Sequence, residues 1–310
     1  MTLLIIAPSA DPAWWRREFT RTASTLKVRV WPNVGDPAGI RYALAWNPPA
    51  GELAKLPNLR LIMSMGAGSD HLFVDPALPQ VPLTRVVDPY LTSGMTEYVV
   101  LHVLRYHRNQ PIFDAQQRQH VWNERRRELR QADERRVSVM GLGVLGQDAV
   151  AKLTTLGFDV AGWSRTKNDL PGVTCFHGPD GLAPFLARTE ILVCLLPMTT
   201  ATADILNRDT LAQLPRDAYL INAARGGHVV DADLLDALAS GQLAHATLDV
   251  FREEPLPADH PFWDHQQITI TPHNASITDP RSVVRQVAEN IRRCDAGEPL
   301  LHPVDRDAGY

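Results

Sequence analysis

The chain is predicted to be a doubly wound α/β protein built from two parallel-sheet domains. Three observations predict this. Short aliphatic runs alternate with longer amphipathic stretches along all 310 residues, the pattern of parallel strands joined by helices. Many of those runs are apolar throughout, as strands covered on both faces require. The alternation also restarts near residue 137, after a long apolar helix and a polar, Arg-rich stretch, which implies a second unit.

In order, Leu3–Ala7 reads as a strand, Trp14–Thr22 as a helix and Val28–Trp31 as a strand. Strands at Tyr42–Trp46 and Leu61–Met65 follow, the second ending in Gly66-Ala67-Gly68. Met95–Tyr106 reads as a long helix. The second unit runs strand Val137–Met140, helix Gly146–Leu156, strand Asp159–Trp163, helix Leu182–Thr189 and strand Ile191–Leu196. Further strands are expected at Tyr219–Asn222, Ala246–Val250 and Ile268–Thr271, and a final helix over Pro280–Ala296. A domain boundary is expected near residue 100, where the long helix leads into the second unit.

Composition narrows the function classes. The chain is 45% apolar and 21% charged, with a net charge of −4, so no global positive field favours nucleic acid or an anionic membrane. The longest aliphatic runs are far short of the ~20 residues that cross a bilayer. The first ten residues lack the basic start and long apolar run of a secretory leader. Cys175, Cys194 and Cys294 are odd in number and lack metal-ligand spacing, which suits free thiols in the cytoplasm.

The most specific motif is Gly141-Leu142-Gly143-Val144-Leu145-Gly146, a G-x-G-x-x-G between a strand and a helix. Its first glycine permits a tight turn, the second a close approach of backbone to a pyrophosphate, and the third close helix–strand packing. The helix N-terminus favours the phosphate charge. A dinucleotide site follows. Where an NAD-selective site places an acid after its second strand, this chain has Ser164-Arg165-Thr166-Lys167. Hydroxyls and cations there suit a 2′-phosphate, so NADP(H) is expected in preference to NAD(H).

Three later segments put ionisable groups at or just beyond apolar strands, where a doubly wound sheet lines its ligand crevice. They are Asn222-Ala223-Ala224-Arg225-Gly226, Leu248-Asp249-Val250-Phe251-Arg252-Glu253-Glu254-Pro255, and Thr271-Pro272-His273. With these residues the chain resembles the D-isomer-specific 2-hydroxyacid dehydrogenase family, and within it most closely the bacterial glyoxylate/hydroxypyruvate reductases. The resemblance runs from Trp46-Asn47-Pro48-Pro49 to Val304-Asp305-Arg306.

The resemblance implies two Rossmann-like or flavodoxin-like domains with an interdomain cleft, a substrate domain of 1–99 with 278–310 and a dinucleotide domain of 100–277, a homodimer formed near residues 95–130, and a small 2-oxo or 2-hydroxy acid as substrate. It makes Arg225, Glu254 and His273 the catalytic residues, Glu254 rather than Glu253 by its place before Pro255. Leu196, Pro197, Ala223 and Asp249 would face the cofactor. Trp46 and the amides of Gly66, Ala67 and Gly68 would meet the substrate together with Arg225 and His273. Arg225 would grip carboxylate and ketone oxygen with its planar fork, and His273 would deliver the proton. Glu254, by accepting from the other ring nitrogen, would favour the charged ring. The rival readings are another D-2-hydroxyacid dehydrogenase and a non-catalytic, corepressor-like nucleotide sensor.

Weaker features have blander readings. Met95 and Trp46 are pocket candidates that packing alone could equally explain. The stretch with Arg125, Arg126, Arg127, Arg130, Arg135 and Arg136 is interleaved with acids and reads as a solvated helix with internal ion pairs. Trp122 is expected in a dimer-forming loop.

Overall fold

The computed structural model describes residues 2–8, 11–124 and 129–310, which form two compact units, Met1–Leu91 with Ile277–Tyr310 and Thr92–Ser276. The division drawn from the sequence assigned 92–99 to the first unit. Here those residues lie in the second, because the long helix Pro89–His107 carries the chain from one unit into the other.

In the first unit β1 (Thr2–Ile6), α1 (Pro12–Thr22), β2 (Lys27–Val30), β3 (Tyr42–Ala45), β4 (Leu61–Ser64), the short α2 (Asp70–Phe73) and β5 (Leu83–Thr84) build a parallel sheet of order β2-β1-β3-β4-β5. Alternate residues of each strand feed opposite faces. Leu3, Ile5, Leu44 and Met63 pack against Trp15 and Phe19 of α1 and against Val283, Val284 and Val287 of the last helix, α9 (Pro280–Ala296). Leu4, Ile6, Ala43 and Ile62 pack on the other face with Leu53, Leu56 and Leu72. The ends of α9 follow sequence rules: Asp279 Oδ1 caps Arg281 N at 2.8 Å, and Gly297 ends the helix at φ 69°.

The second unit contains α3 (Pro89–His107), α4 (Gln110–Arg118), β6 (Arg136–Met140), α5 (Val144–Thr155), β7 (Asp159–Ser164), β8 (Val173–His177), α6 (Leu182–Ala187) and β9 (Ile191–Cys194). After them come α7 (Arg208–Leu211), β10 (Ala218–Asn222), α8 (Asp231–Ala239), β11 (Leu243–Leu248) and β12 (Ile268–Ile270). Its seven parallel strands run β12-β11-β10-β9-β6-β7-β8. The strand order reverses between β6 and β9, so the loops after those two strands flank the switch point where such sheets bind ligands. Val137, Val139, Val193 and Ile221 pack under α3 and α5; Leu192, Leu220, Ala246 and Leu248 pack under α6 and α8. Burying each such aliphatic chain contributes about 1.5–3 kcal/mol.

One expectation needs correction. The Arg-rich stretch is not a helix with internal ion pairs where it is described. Arg125, Arg126 and Arg127 lie outside the described residues, and a 3-10 turn covers only Ala132–Glu134. Arg130 and Arg136 instead reach Glu190 at 2.6 and 3.5 Å, a carboxylate at the start of β9. Met95 packs in the hydrophobic core of the second unit, 8% exposed. Among the described residues, no helix is long and apolar enough to cross a membrane.

Candidate active site

The glycine turn follows β6. Gly141 has φ 100°, and a Cβ there would sit 2.6 Å from the carbonyl oxygen of Leu195, at the end of the neighbouring β9. A Cβ on Gly146 would lie 1.8 Å from the Gly141 carbonyl oxygen. Protein packing therefore demands both glycines. Gly143 differs: its Cβ would meet nothing within 4 Å. It is also the N-cap of α5 and offers no side chain to the first-turn amides. Open space above bare helix-terminal N–H groups is what a pyrophosphate needs. Leu142 is buried and packs on Gly162, so its backbone rather than its side chain is available there.

The loop after β7 carries hydroxyls and cations. Ser164 Oγ donates to the Thr166 carbonyl at 2.8 Å and accepts from Asn168 Nδ2 at 2.8 Å, which closes a compact turn. Arg165, Thr166 and Lys167 are exposed on it. The donor set suits a phosphate on the ribose, so these residues fit NADP(H).

Arg225 sits just past β10, on a turn built by Asn222. Asn222 Nδ2 donates to the Arg225 carbonyl at 2.9 Å, and its Oδ1 accepts from Ala224 N at 3.1 Å. The buried ring of His228 bridges this turn to the segment after β9, with Nδ1 3.0 Å from the Arg225 carbonyl oxygen and Nε2 3.2 Å from that of Pro197. Leu196 and Pro197 are thus tied to the arginine turn, with the Leu196 side chain in the core.

Glu254 follows β11. Its Oε1 accepts from Phe251 N at 2.9 Å, and its Oε2 lies 2.7 Å from His273 Nδ1. Burial alone would raise its carboxyl. The hydrogen bonds from His273 and Phe251 N, with the positive charges of His273 and Arg225, outweigh burial and hold it below the usual carboxylate range. Glu254 and His273 are therefore paired within the second unit, and the Arg225 charge acts on Glu254. The acceptor at Nδ1 assigns a proton to that nitrogen.

Two supports were not legible as site residues. Arg252 donates from Nε to the Val229 carbonyl at 2.8 Å and pairs with Asp204, so it ties the Glu254 loop to the end of the Arg225 turn. Gly226 lets the same two loops touch through their backbones. The only sequence signal for Gly226 was its place directly after the arginine.

Asp249, expected at the cofactor, is 1% exposed and turned toward the histidine loop. Its Oδ1 accepts from Thr271 Oγ1 at 2.6 Å and Asn274 N at 3.0 Å, and its Oδ2 from Ala275 N at 2.9 Å. Burial pushes its carboxyl up, and these hydrogen bonds oppose that rise.

Within the first unit, Trp46 packs against His71 with ring centres 4.5 Å apart and planes tilted by 56°, and it covers Gly66, where a Cβ would lie 2.6 Å from the indole. Ser64 Oγ donates to the Gly68 carbonyl at 2.6 Å and accepts from Gly66 N at 3.4 Å. The Gly66 amide is therefore turned inward to Ser64.

The family model of the D-isomer specific 2-hydroxyacid dehydrogenase NAD binding domain matches residues 100–275. The glyoxylate/hydroxypyruvate reductase A of Yersinia enterocolitica is 40% identical, with 100% of both chains covered. A D-isomer specific 2-hydroxyacid dehydrogenase from Xanthobacter autotrophicus Py2, solved with NADPH and MES, is 44% identical with a TM-score of 0.95, over 100% of this chain and 99% of that one. The NADPH-dependent glyoxylate/hydroxypyruvate reductase of Sinorhizobium meliloti, solved with NADP and sulfate, is 37% identical with a TM-score of 0.93 at the same coverage. The chain belongs to the D-isomer specific 2-hydroxyacid dehydrogenase family.

Proposed function

We propose that this chain reduces small 2-oxo acids with NADPH, glyoxylate to glycolate and hydroxypyruvate to D-glycerate. The observation that carries the reading is the Glu254–His273 pair with Arg225 acting on it. NADPH, held by the glycine turn and the 164–167 loop, supplies the hydride. The Arg225 guanidinium binds the substrate carboxylate and polarises the ketone with parallel donors. His273 gives its Nε2 proton to the oxygen as negative charge develops there. Glu254 holds the ring by Nδ1 and balances its charge. Trp46 and the amides of Ala67 and Gly68 are proposed substrate contacts. Leu196, Pro197 and Ala223 are proposed to line the cofactor site.

NADPH oxidation with glyoxylate, followed by absorbance, tests the function. Turnover is expected; tight NADPH binding without turnover would leave a nucleotide sensor. Arg165→Ala is expected to raise the KM for NADPH by about ten- to a hundredfold and to leave that for NADH nearly unchanged, the loss of a charge-assisted contact worth about 1.5–3 kcal/mol. Equal effects on the two cofactors would remove the basis of the NADP(H) preference.

A homodimer is part of the same proposal, with the exposed Leu101 and Trp122 in its contact. Light scattering is expected to give the mass of two chains, and a single-chain mass at micromolar concentration refutes it. The three cysteines are free thiols, which suits the cytoplasm as the proposed location.

A further inference from the structure

His273 has φ 50°, a left-handed backbone conformation that a non-glycine residue holds only where its surroundings impose it. The surroundings here are Asp249. Its main-chain oxygen accepts from His273 N at 2.8 Å, and its carboxylate takes the next two amides, Asn274 N and Ala275 N. The remaining donor to that carboxylate is the Thr271 hydroxyl. A threonine has one hydroxyl hydrogen, and here it is committed to Asp249. The hydroxyl of Tyr98, 2.7 Å from Thr271 Oγ1, must therefore be the donor in that contact. The order of donation is fixed from Tyr98 to Thr271 to Asp249.

Tyr98 is itself held. It lies on α3 with His102 and Tyr106 at successive four-residue steps, one stripe of the helix that meets Thr247 of β11 and Thr271 just beyond β12. The His102 ring packs against it in a tilted contact with centres 4.4 Å apart, and burial lowers His102 to about 4, so that ring is neutral near pH 7. Burial raises the Tyr98 phenol, which keeps its proton.

We propose that Tyr98 and Thr271 are positioning residues for the proton donor: their directed hydrogen bonds aim the Asp249 carboxylate, which holds the loop that fixes His273. The inference rests on the reductase reading for its kinetic consequences and on geometry alone for its spectroscopic one.

Tyr98→Phe and Thr271→Val each remove one link with little change of shape. Each is expected to lower kcat for glyoxylate by about ten- to a hundredfold, the usual consequence of a misplaced catalytic group. The KM for NADPH should hardly move, and the solvent deuterium isotope effect on kcat should rise, because proton delivery becomes slower. Thr271→Ser keeps the hydroxyl and is expected to restore kcat. In proton–carbon NMR spectra of the full chain, the His273 ring signal, assigned by its loss in His273→Gln, should shift in Tyr98→Phe and Thr271→Val and stay in place in Thr271→Ser. Unchanged kcat and ring signal in both deletions would overturn the proposal, as would Thr271→Ser failing as badly as Thr271→Val. If Tyr98→Phe does not fold, the two Thr271 variants decide alone. A wild-type chain that turns over no 2-oxo acid defeats the reductase reading, and the ring signal still judges the relay.

Discussion

Replacing His273 with Gln is expected to lower kcat for glyoxylate reduction by about 10²–10⁴, the usual contribution of a general acid. The Kd for NADPH should stay within about twofold, since the glycine turn and the 164–167 loop belong to other strand ends. Glutamine keeps a polar amide that can donate a hydrogen bond, but it has no proton to release. The remaining rate would come from the Arg225 guanidinium and from positioning. Glu254 sharpens the expectation. Its carboxyl is held below the ordinary range, so it is ionised at every pH above that range and loses its charge only as pH falls through its lowered value. At neutral pH the imidazole therefore faces a full negative charge at 2.7 Å. Steady-state NADPH oxidation gives kcat, and quenching of protein fluorescence gives the Kd. Turnover near the wild-type rate would remove His273 from the chemistry.

What could be read from the chain depended on how local its cause was. The strands β1, β3, β4, β6 and β9 are fully or nearly fully buried runs whose own residues declare them. The glycine turn was legible because its strand, bend and helix are contiguous. β8 escaped notice because Val173–His177 is only half-buried and mixes Thr, Cys and His with its apolar residues. The solvated-helix reading of the Arg-rich stretch failed for a different reason: the partner of Arg130 and Arg136 is Glu190, distant in sequence and adjacent only once β6 and β9 pair. Asp249 was found, yet the direction of its carboxylate was not readable. That direction is set by Thr271 and two amides on a neighbouring strand end. In the same way, nothing local to Tyr98, on a helix of mostly apolar residues, announces that its hydroxyl meets Thr271.

Gly226→Ala is expected to cost at least about a hundredfold in kcat/KM, from a residue that touches no substrate. A Cβ at Gly226 would lie 1.9 Å from the Phe251 carbonyl carbon, 2.2 Å from its oxygen and 2.4 Å from Arg252 N. All three are backbone atoms, so no rotamer change relieves the clash, and ordinary contact begins only at 3.4 Å. The two loops must part by more than an ångström. One carries Arg225, the other Glu254 and through it His273. Separation of that size is what catalysis tolerates least, and the strain should also cost about 1–3 kcal/mol of stability, as overpacking commonly does. Gly227→Ala is the control on the same turn. Its Cβ would meet only the end of the Met198 side chain, at 2.8 Å, and a flexible thioether can swing aside. It is expected to keep kcat/KM within about threefold, because a packing change absorbed by one side chain leaves the backbone in place. Thermal unfolding reports the stability loss, and glyoxylate kinetics report the separation. Equal losses in the two variants would mean that the turn is merely intolerant of side chains. Loss confined to Gly226→Ala places the backbone contact between the two loops at the origin of the catalytic geometry.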